Sequence, residues 1–598
     1  MNFILTSAVM ESMSKRLQFL IVCFAFILLA ACNGNDGGSA PTITPVPPTM
    51  PAAVQETPVQ TAVPTISVEP TAVDTPTAIP VPTDTPTAIP IDLSLTPGGI
   101  LLLPAPKIYE GDLVTFKVAP ILPEGVGVND VRVQILVDNQ QILKEILNWR
   151  SLGGETYGLY EWAWDTTGWT GQHSITVVLD PDDRIQIGDE NPNNNQAVIN
   201  VTVNPRSDLS ALEADAAWIT VSNNCCTLHV VSGTAANRDL PQLLATVDTA
   251  FLEASTHLAE PFGQKYDVYF IDRVLGQGGY ASGGMVISYL DRNYTGGGIY
   301  EVLVHEAVHL IDHTFAPNRI TFLAEGVAVW ATGGHYEKED LGRRVAALIE
   351  LGAYVPLAEL IDNFYPTQHE ISYLEAGGLI SYLVEIYGWE RVRNFYSDTT
   401  VYDGTSLSNS VDINFQLYFE KSLAEIEAEW ISYVQSLPRD PQETADLETT
   451  IRYYEVMRQY QQQFDSTAYY LTAWLPSPEE VVQRGITADY TRHPETATNI
   501  ALESLLLSAH EALDAGDYGR ANALLDSVIR VLENNGTFLD PLAGTYLDIV
   551  RTTTAMNYQV QQVRVEGTQA IVSVTRPNQV ELIQLDLVLQ NNSWILAQ

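Results

Sequence analysis

The chain has 598 residues, more than one hydrophobic core supports, so several domains are expected. Its 30 Lys and Arg stand against 73 Asp and Glu, a net charge of −43. That charge repels phosphate backbones and anionic lipid headgroups, which excludes nucleic acid as a partner. The acids are spread along the chain, as solubility alone would ask. Of the four cysteines, Cys225 and Cys226 are adjacent, and no C-x-x-C spacing or disulfide framework is present. The adjacent pair fits either a vicinal disulfide or two buried thiols.

At the N-terminus, Lys15 and Arg16 precede an apolar run from Leu17 to Ala31. A charged segment followed by so short an apolar one reads as a signal peptide rather than a membrane span. Met13 fits the true start. The run ends Leu29-Ala30-Ala31-Cys32, which resembles a bacterial lipobox. The resemblance implies that residues 1–31 are a lipoprotein signal peptide and that Cys32 is lipidated and becomes the mature N-terminus. Residues 33–39 are a Gly-, Asn- and Ser-rich tether, as an anchored protein needs.

Residues 32–97 as a whole form a Pro/Thr-rich disordered stalk, in which Asp74 to Pro90 holds one seven-residue phrase twice. Such a stretch cannot bury a core and favours extended polyproline II. At roughly 3 Å per residue it reaches beyond about 100 Å. The protein is therefore expected to be extracytoplasmic, held on the outer face of the bacterial cell membrane by its lipid.

From 98 to 205 the pattern has period two: Val114, Phe116 and Val118, then Val131 to Val137, Ile175 to Leu179 and Ile199 to Val203. This predicts an Ig-like β-sandwich. Asp180 to Glu190, running into Asn193, Asn194 and Asn195, resembles the last hairpin of CARDB-type adhesion modules. Its acids suit either a calcium ion or a solvated polar turn. Trp162, Trp164 and Trp169 suit core and edge packing, or a sugar-binding platform.

Residues 210–438 carry the chemistry. Strands are expected at Ile219, Leu228, Tyr266 to Ile271 and Met285 to Leu290, with a helix from Leu240 to Ala259. Gly276 to Gly284 reads as a glycine-rich loop, without the Gly-Lys-Ser/Thr of a phosphate cradle. Then comes His305-Glu306-Ala307-Val308-His309 in an apolar helix. Residues four apart share a helix face, so His305 and His309 can offer two imidazoles to one Zn²⁺. Glu306 is placed to take a proton from a water on that metal.

A third ligand decides the class. A metzincin needs Gly at 312 and His at 315, but Asp312 and Phe315 stand there. A gluzincin needs a glutamate on a following helix, and Glu325 is the one acid in the run Thr321 to Trp330. A buried carboxylate there makes sense as a ligand. The ligand set is therefore His305, His309 and Glu325, with water fourth.

These two segments resemble the gluzincin metallopeptidases, especially the bacterial peptidase MA-like group. Tyr373 to Leu383, then Tyr387-Gly388, resembles the helix after the metal site in that group. The resemblance implies that Tyr373 faces the scissile carbonyl and that a sheet edge near the metal pairs with extended substrate. His335 and Tyr336 are the rivals of Tyr373. His257, His313, His335 and His369 lack ligand spacing and read as structural or rim residues. Some gluzincins carry an acid four residues after the glutamate, bonding a histidine ligand. Here that position is Val329, which leaves Asp312 as the candidate support.

Residues 439–536 read as helical, and Ala512 to Ala521 resembles the turn of a TPR-like hairpin, without the three repeats of an array. Residues 537–598 read as a small C-terminal α+β domain. The expected fold class is thus multidomain: a β-sandwich, an α+β zincin-like metallopeptidase domain, a helical region and a small C-terminal β domain. The expected function is a surface-anchored zinc peptidase acting on peptides or proteins as a monomer. The alternative is a non-catalytic surface adhesin or scaffold that keeps the zinc fold for binding. The intact His-Glu-His-Glu set argues against it, because binding alone has no use for Glu306.

Overall fold

A computed structural model describes residues 92–597 apart from 105–106, 124–125, 153–154, 273–277, 296, 336, 403, 466–467 and 469–477. The signal peptide, Cys32 and Tyr336 lie outside the described residues. The chain is multidomain, with an N-terminal sheet region, a mixed α/β core, a helical region and a C-terminal antiparallel sheet.

The N-terminal region is two sheets over one core. One sheet orders Ile100–Leu102, Leu113–Val118, Glu155–Asp165 and Asn148–Leu152. The other orders Ile108–Tyr109, Gln196–Asn204, Gly171–Leu179, Arg132–Val137 and Gln140–Ile146. The period-two residues supply both inner faces: Val114, Phe116 and Val118 meet Val133, Ile135, Ile175 and Val177, all fully buried. Trp162, Trp164 and Trp169 pack against this core, Trp164 at 2% exposure. Leu93 and Leu95 are buried here too, so folded chain begins ahead of residue 98. Two leucines beside a proline-rich stretch carry no periodicity by which to find them.

The mixed domain is built on a five-stranded sheet in the order Trp218–Ser222, Cys226–Val231, Tyr266–Ile271, Met285–Ser288, Gly279–Ala281. The middle three strands are parallel and the outer two antiparallel to their neighbours. Gly279–Ala281 overturns the expected glycine loop. A Cβ on Gly279 would stand 2.6 Å from Ile287 Cδ1 and 3.2 Å from Val302 Cγ1. The edge strand lies that close to the metal helix, so glycine serves proximity there and hides the strand from propensity. Cys225 and Cys226 are joined as a disulfide at the start of the second strand.

On one sheet face sit the helices Leu240–Leu258, Ile299–Asp312, Thr321–Thr332 and His369–Tyr387, sharing one core with Leu228, Val268 and Ile287. The other face is closed by chain from far downstream. Val481, Ile486 and Tyr490 pack on Tyr269, Ile271, Tyr280 and Val286. The same stretch grips the sandwich: Thr115 N–H donates to Asp489 Oδ2 at 3.2 Å, and Arg492 is ion-paired with Asp112 and with Glu213. The expectation that 439–536 is a self-contained helical region fails at this segment.

It fails at the other boundary as well. Helices Pro441–Phe464, Ala497–Asp514, Tyr518–Glu533 and Pro541–Ala555 share a single core with the sheet Gln559–Glu566, Gln569–Thr575, Ile583–Gln590 and Ser593–Leu596. No core boundary falls at 536.

One buried acid makes folding pH-dependent. Glu375, fully buried on helix His369–Tyr387, accepts from Val355 N–H at 2.8 Å through Oε1, while Oε2 has no hydrogen-bond partner. Burial pushes its carboxyl up to about 9. The folded state therefore holds a proton that the unfolded chain releases near its ordinary value of 4.5. Stability from this group is full below that value and is lost as pH rises toward 9, at up to about 1.4 kcal/mol per pH unit. Glu375→Gln should flatten the fall in denaturant midpoint between pH 5 and 9. An unchanged slope would show that Glu375 is not the titrating group.

Candidate metal centre

Helix Ile299–Asp312 is almost wholly buried from Leu303 onward, and its apolar residues seat it on the sheet. That burial carries His305 and His309 inward, at 9% and 4% exposure. Glu325 comes from helix Thr321–Thr332 and is 2% exposed. Its depth depends on the next residue. A Cβ on Gly326 would stand 2.7 Å from the Ala376 carbonyl oxygen, so only glycine lets this helix lie against His369–Tyr387.

The three side chains converge. His305 Nε2 lies 3.1 Å from Glu325 Oε2, His309 Nε2 lies 3.2 Å from the same oxygen, and the two Nε2 atoms are 3.2 Å apart. Ligands about 2.05 Å from a tetrahedral ion stand about 3.3 Å from one another. The donor set, two imidazole nitrogens and one carboxylate oxygen, and its spacing therefore fit a zinc ion. Among the described residues this is the one group of three or more His, Cys, Asp or Glu side chains that could hold a metal.

Electrostatics follow the same layout. Burial pushes Glu325 up, but the imidazoles of His309 and His305 outweigh it and hold the carboxyl well below its ordinary range. Glu306, 7% exposed, goes the other way: burial raises it, and the two imidazoles only partly offset that.

Tyr373 lies where the tyrosine was expected, its ring centroid 6.1 Å from that of His305. Three residues that the sequence reading passed over crowd the same space. The rings of His335 and His369 stand 4.4 and 5.3 Å from that of Tyr373, and Tyr365 OH reaches Glu325 Oε1 in a long bond of 3.4 Å. His335 and His369 are therefore not rim residues. Burial keeps both imidazoles neutral, His369 down to about 4. His369 and Tyr373 are four apart on one helix, a spacing that could have paired them.

Asp312 does not bond a histidine ligand. Its Oδ2 accepts from Tyr396 OH at 2.6 Å and its Oδ1 lies 3.3 Å from Arg319 Nη2, which also donates to the His309 carbonyl oxygen at 3.1 Å. Asp312 thus braces the end of the metal helix through Arg319. Val329, at the position of the missing acid, is fully buried beside Leu341, Leu374 and Tyr373. It packs where an unpaired carboxylate would be costly.

No protein-family model matches the sequence, and no curated protein matches it. Solved structures show partial likeness. An M1 zinc metallopeptidase from Deinococcus radiodurans is 11% identical over 56% of this chain and 92% of its own, with TM-score 0.26. Yeast LTA4 hydrolase is 11% identical over 80% and 95%, with TM-score 0.28. The CARDB domain of the PF1109 protein from Pyrococcus furiosus, in complex with di-metal ions, is 20% identical over 19% and 97%, with TM-score 0.16. No inference about this chain's chemistry follows from likenesses at that level.

Proposed function

We propose that the chain is a zinc-dependent metallopeptidase that hydrolyses peptide bonds. The observation that carries the reading is the convergence of His305, His309 and Glu325 to 3.1–3.2 Å, with a buried Glu306 next to the first ligand. A bound zinc would supply Lewis acidity, acidifying a water and polarising the scissile carbonyl. Glu306 takes the proton of the attacking water and delivers it to the leaving amine. Its raised carboxyl suits a group that must carry that proton between the two events. Gly279–Ala281, paired with Met285–Ser288 at the sheet edge beside the metal helix, aligns an extended substrate by strand addition. Digestion of a peptide library by the full chain tests the reading. Cleavage should stop on chelation and return with zinc; cleavage indifferent to both would refute it.

The two tyrosines take separate roles. Tyr365 orients Glu325, and Tyr373 donates to the carbonyl oxygen as negative charge develops there. Tyr373→Phe should lower kcat roughly 10- to 10³-fold with zinc content intact. Tyr365→Phe should instead weaken zinc binding by about 10-fold, the lower end for a residue that orients a ligand. Lower thermal stability with normal turnover per folded Tyr373→Phe molecule would make that residue a packing group.

Cys32 carries the lipid that holds the enzyme outside the bacterial membrane, and the stalk spaces it from the surface. The motivation is the charged, apolar, Leu-Ala-Ala-Cys order of residues 15–32. Mass spectrometry should find a lipidated Cys32; an unmodified N-terminus beyond it would sink the anchor.

A further inference from the structure

The end of the β-sandwich gathers oxygen atoms whose bonding is unfinished. Asp180 follows strand Gly171–Leu179 and is 5% exposed. Its Oδ2 accepts from the backbone N–H of Arg184 at 2.6 Å and of Ile185 at 2.7 Å, but its Oδ1 is buried without a hydrogen-bond partner. Asn195, 4% exposed, is tied beside it, because Leu179 N–H donates to its backbone oxygen at 2.8 Å. Its side-chain Nδ2 donates to Asp189 Oδ2 at 2.7 Å, and Asn194 Nδ2 donates to Asp92 Oδ2 at 2.8 Å. These donations to carboxylates fix which end of each amide is nitrogen. The opposite ends, Asn194 Oδ1 and Asn195 Oδ1, are therefore oxygens. Both are buried without a hydrogen-bond partner, and so is Asp189 Oδ1.

Neighbouring cations do not answer this charge. Lys144, Arg132 and Arg184 all pair with Asp182. Among the described residues no ion pair reaches Asp92, Asp180, Asp183 or Asp189. Burial first, and then the charges of Asp92, Asp180 and Asp183, raise the Asp189 carboxyl above its ordinary range. Buried acceptors in folded proteins nearly always find a donor or an ion. Here four of them lie on one pair of hydrogen-bonded loop segments.

We propose that Asp180 Oδ1, Asp189 Oδ1, Asn194 Oδ1 and Asn195 Oδ1 bind a calcium ion at the end of the β-sandwich. The donors are all hard oxygens, two carboxylates and two amides on irregular backbone. Calcium accepts six to eight such ligands in flexible geometry and completes its shell with water, whereas magnesium demands a near-regular octahedron. The absence of sulfur and imidazole donors disfavours zinc here. This site is separate from the His305, His309 and Glu325 centre and does not depend on any peptidase activity.

The test is calorimetric titration of calcium into the chelator-treated full chain, with thermal unfolding followed in parallel. One calcium per chain should bind, with Kd in the range of about 10⁻⁴ to 10⁻³ M found in extracellular modules. The unfolding midpoint should rise with calcium, because only the folded loop presents the four oxygens. Asp189→Asn should weaken binding at least about tenfold. Should that variant not fold, Asn194→Ala serves instead, since this half-buried side chain makes one hydrogen bond, to Asp92. Absence of saturable calcium binding would mean that water fills the site and would overturn the proposal. Undiminished binding by a folded variant, or magnesium binding as tight as calcium, would overturn it too.

Discussion

Glu306→Gln keeps the metal and loses hydrolysis. The glutamine amide can still hold a water by hydrogen bonding, but it cannot accept that water's proton. Groups that transfer a proton in the transition state contribute on the order of 10² to 10⁴-fold in rate, and the same fall in kcat is expected here. The site favours so clean a separation of binding from chemistry. Glu306 is not one of the three converging side chains, so zinc content should match that of the unaltered chain. The change also removes a buried carboxyl that burial already disfavours as an anion, so stability should hold or rise. Zinc analysis, thermal unfolding and peptide turnover on one preparation check all three points. Undiminished turnover would remove Glu306 from the mechanism.

Glu325→Ala should do the reverse and abolish tight zinc. Even the loss of a residue that merely orients a ligand costs about 10- to 100-fold in metal affinity, so loss of a ligand should exceed about 100-fold. His305 and His309 would be left with Nε2 atoms 3.2 Å apart and no anion between them, so protonation of one would disfavour the other. Competition against a chelator of known affinity measures the effect. Stoichiometric, tight zinc in the variant would overturn the ligand assignment.

The metal pair and the third carboxylate were legible because each broke a local rule. Two histidines four apart in an apolar helix, and one acid in an apolar run, are costly without a shared purpose. The alternating strands of the sandwich were legible for the opposite reason, since period two there agrees with burial residue by residue. What escaped notice depended on contacts distant in sequence. Tyr365 stands 40 residues from Glu325, in a loop with no periodicity, and nothing local points it at the metal. Gly279–Ala281 was hidden because its glycine answers to the helix above it and not to strand propensity. The helical and β parts of the C-terminal region looked separable because their patterns differ, yet both bury residues in one core.

The passage of Val481 to Arg492 beneath the catalytic sheet makes this chain a poor donor of interchangeable parts. A metallopeptidase cassette cut at residue 438 would leave behind the residues that shield Tyr269, Ile271, Tyr280 and Val286, and would offer an apolar sheet face to solvent. The sandwich would lose its Arg492 clasp at the same cut. Shuffling or fusion that respects only the linear order of segments therefore breaks this protein, and its parts must be inherited together.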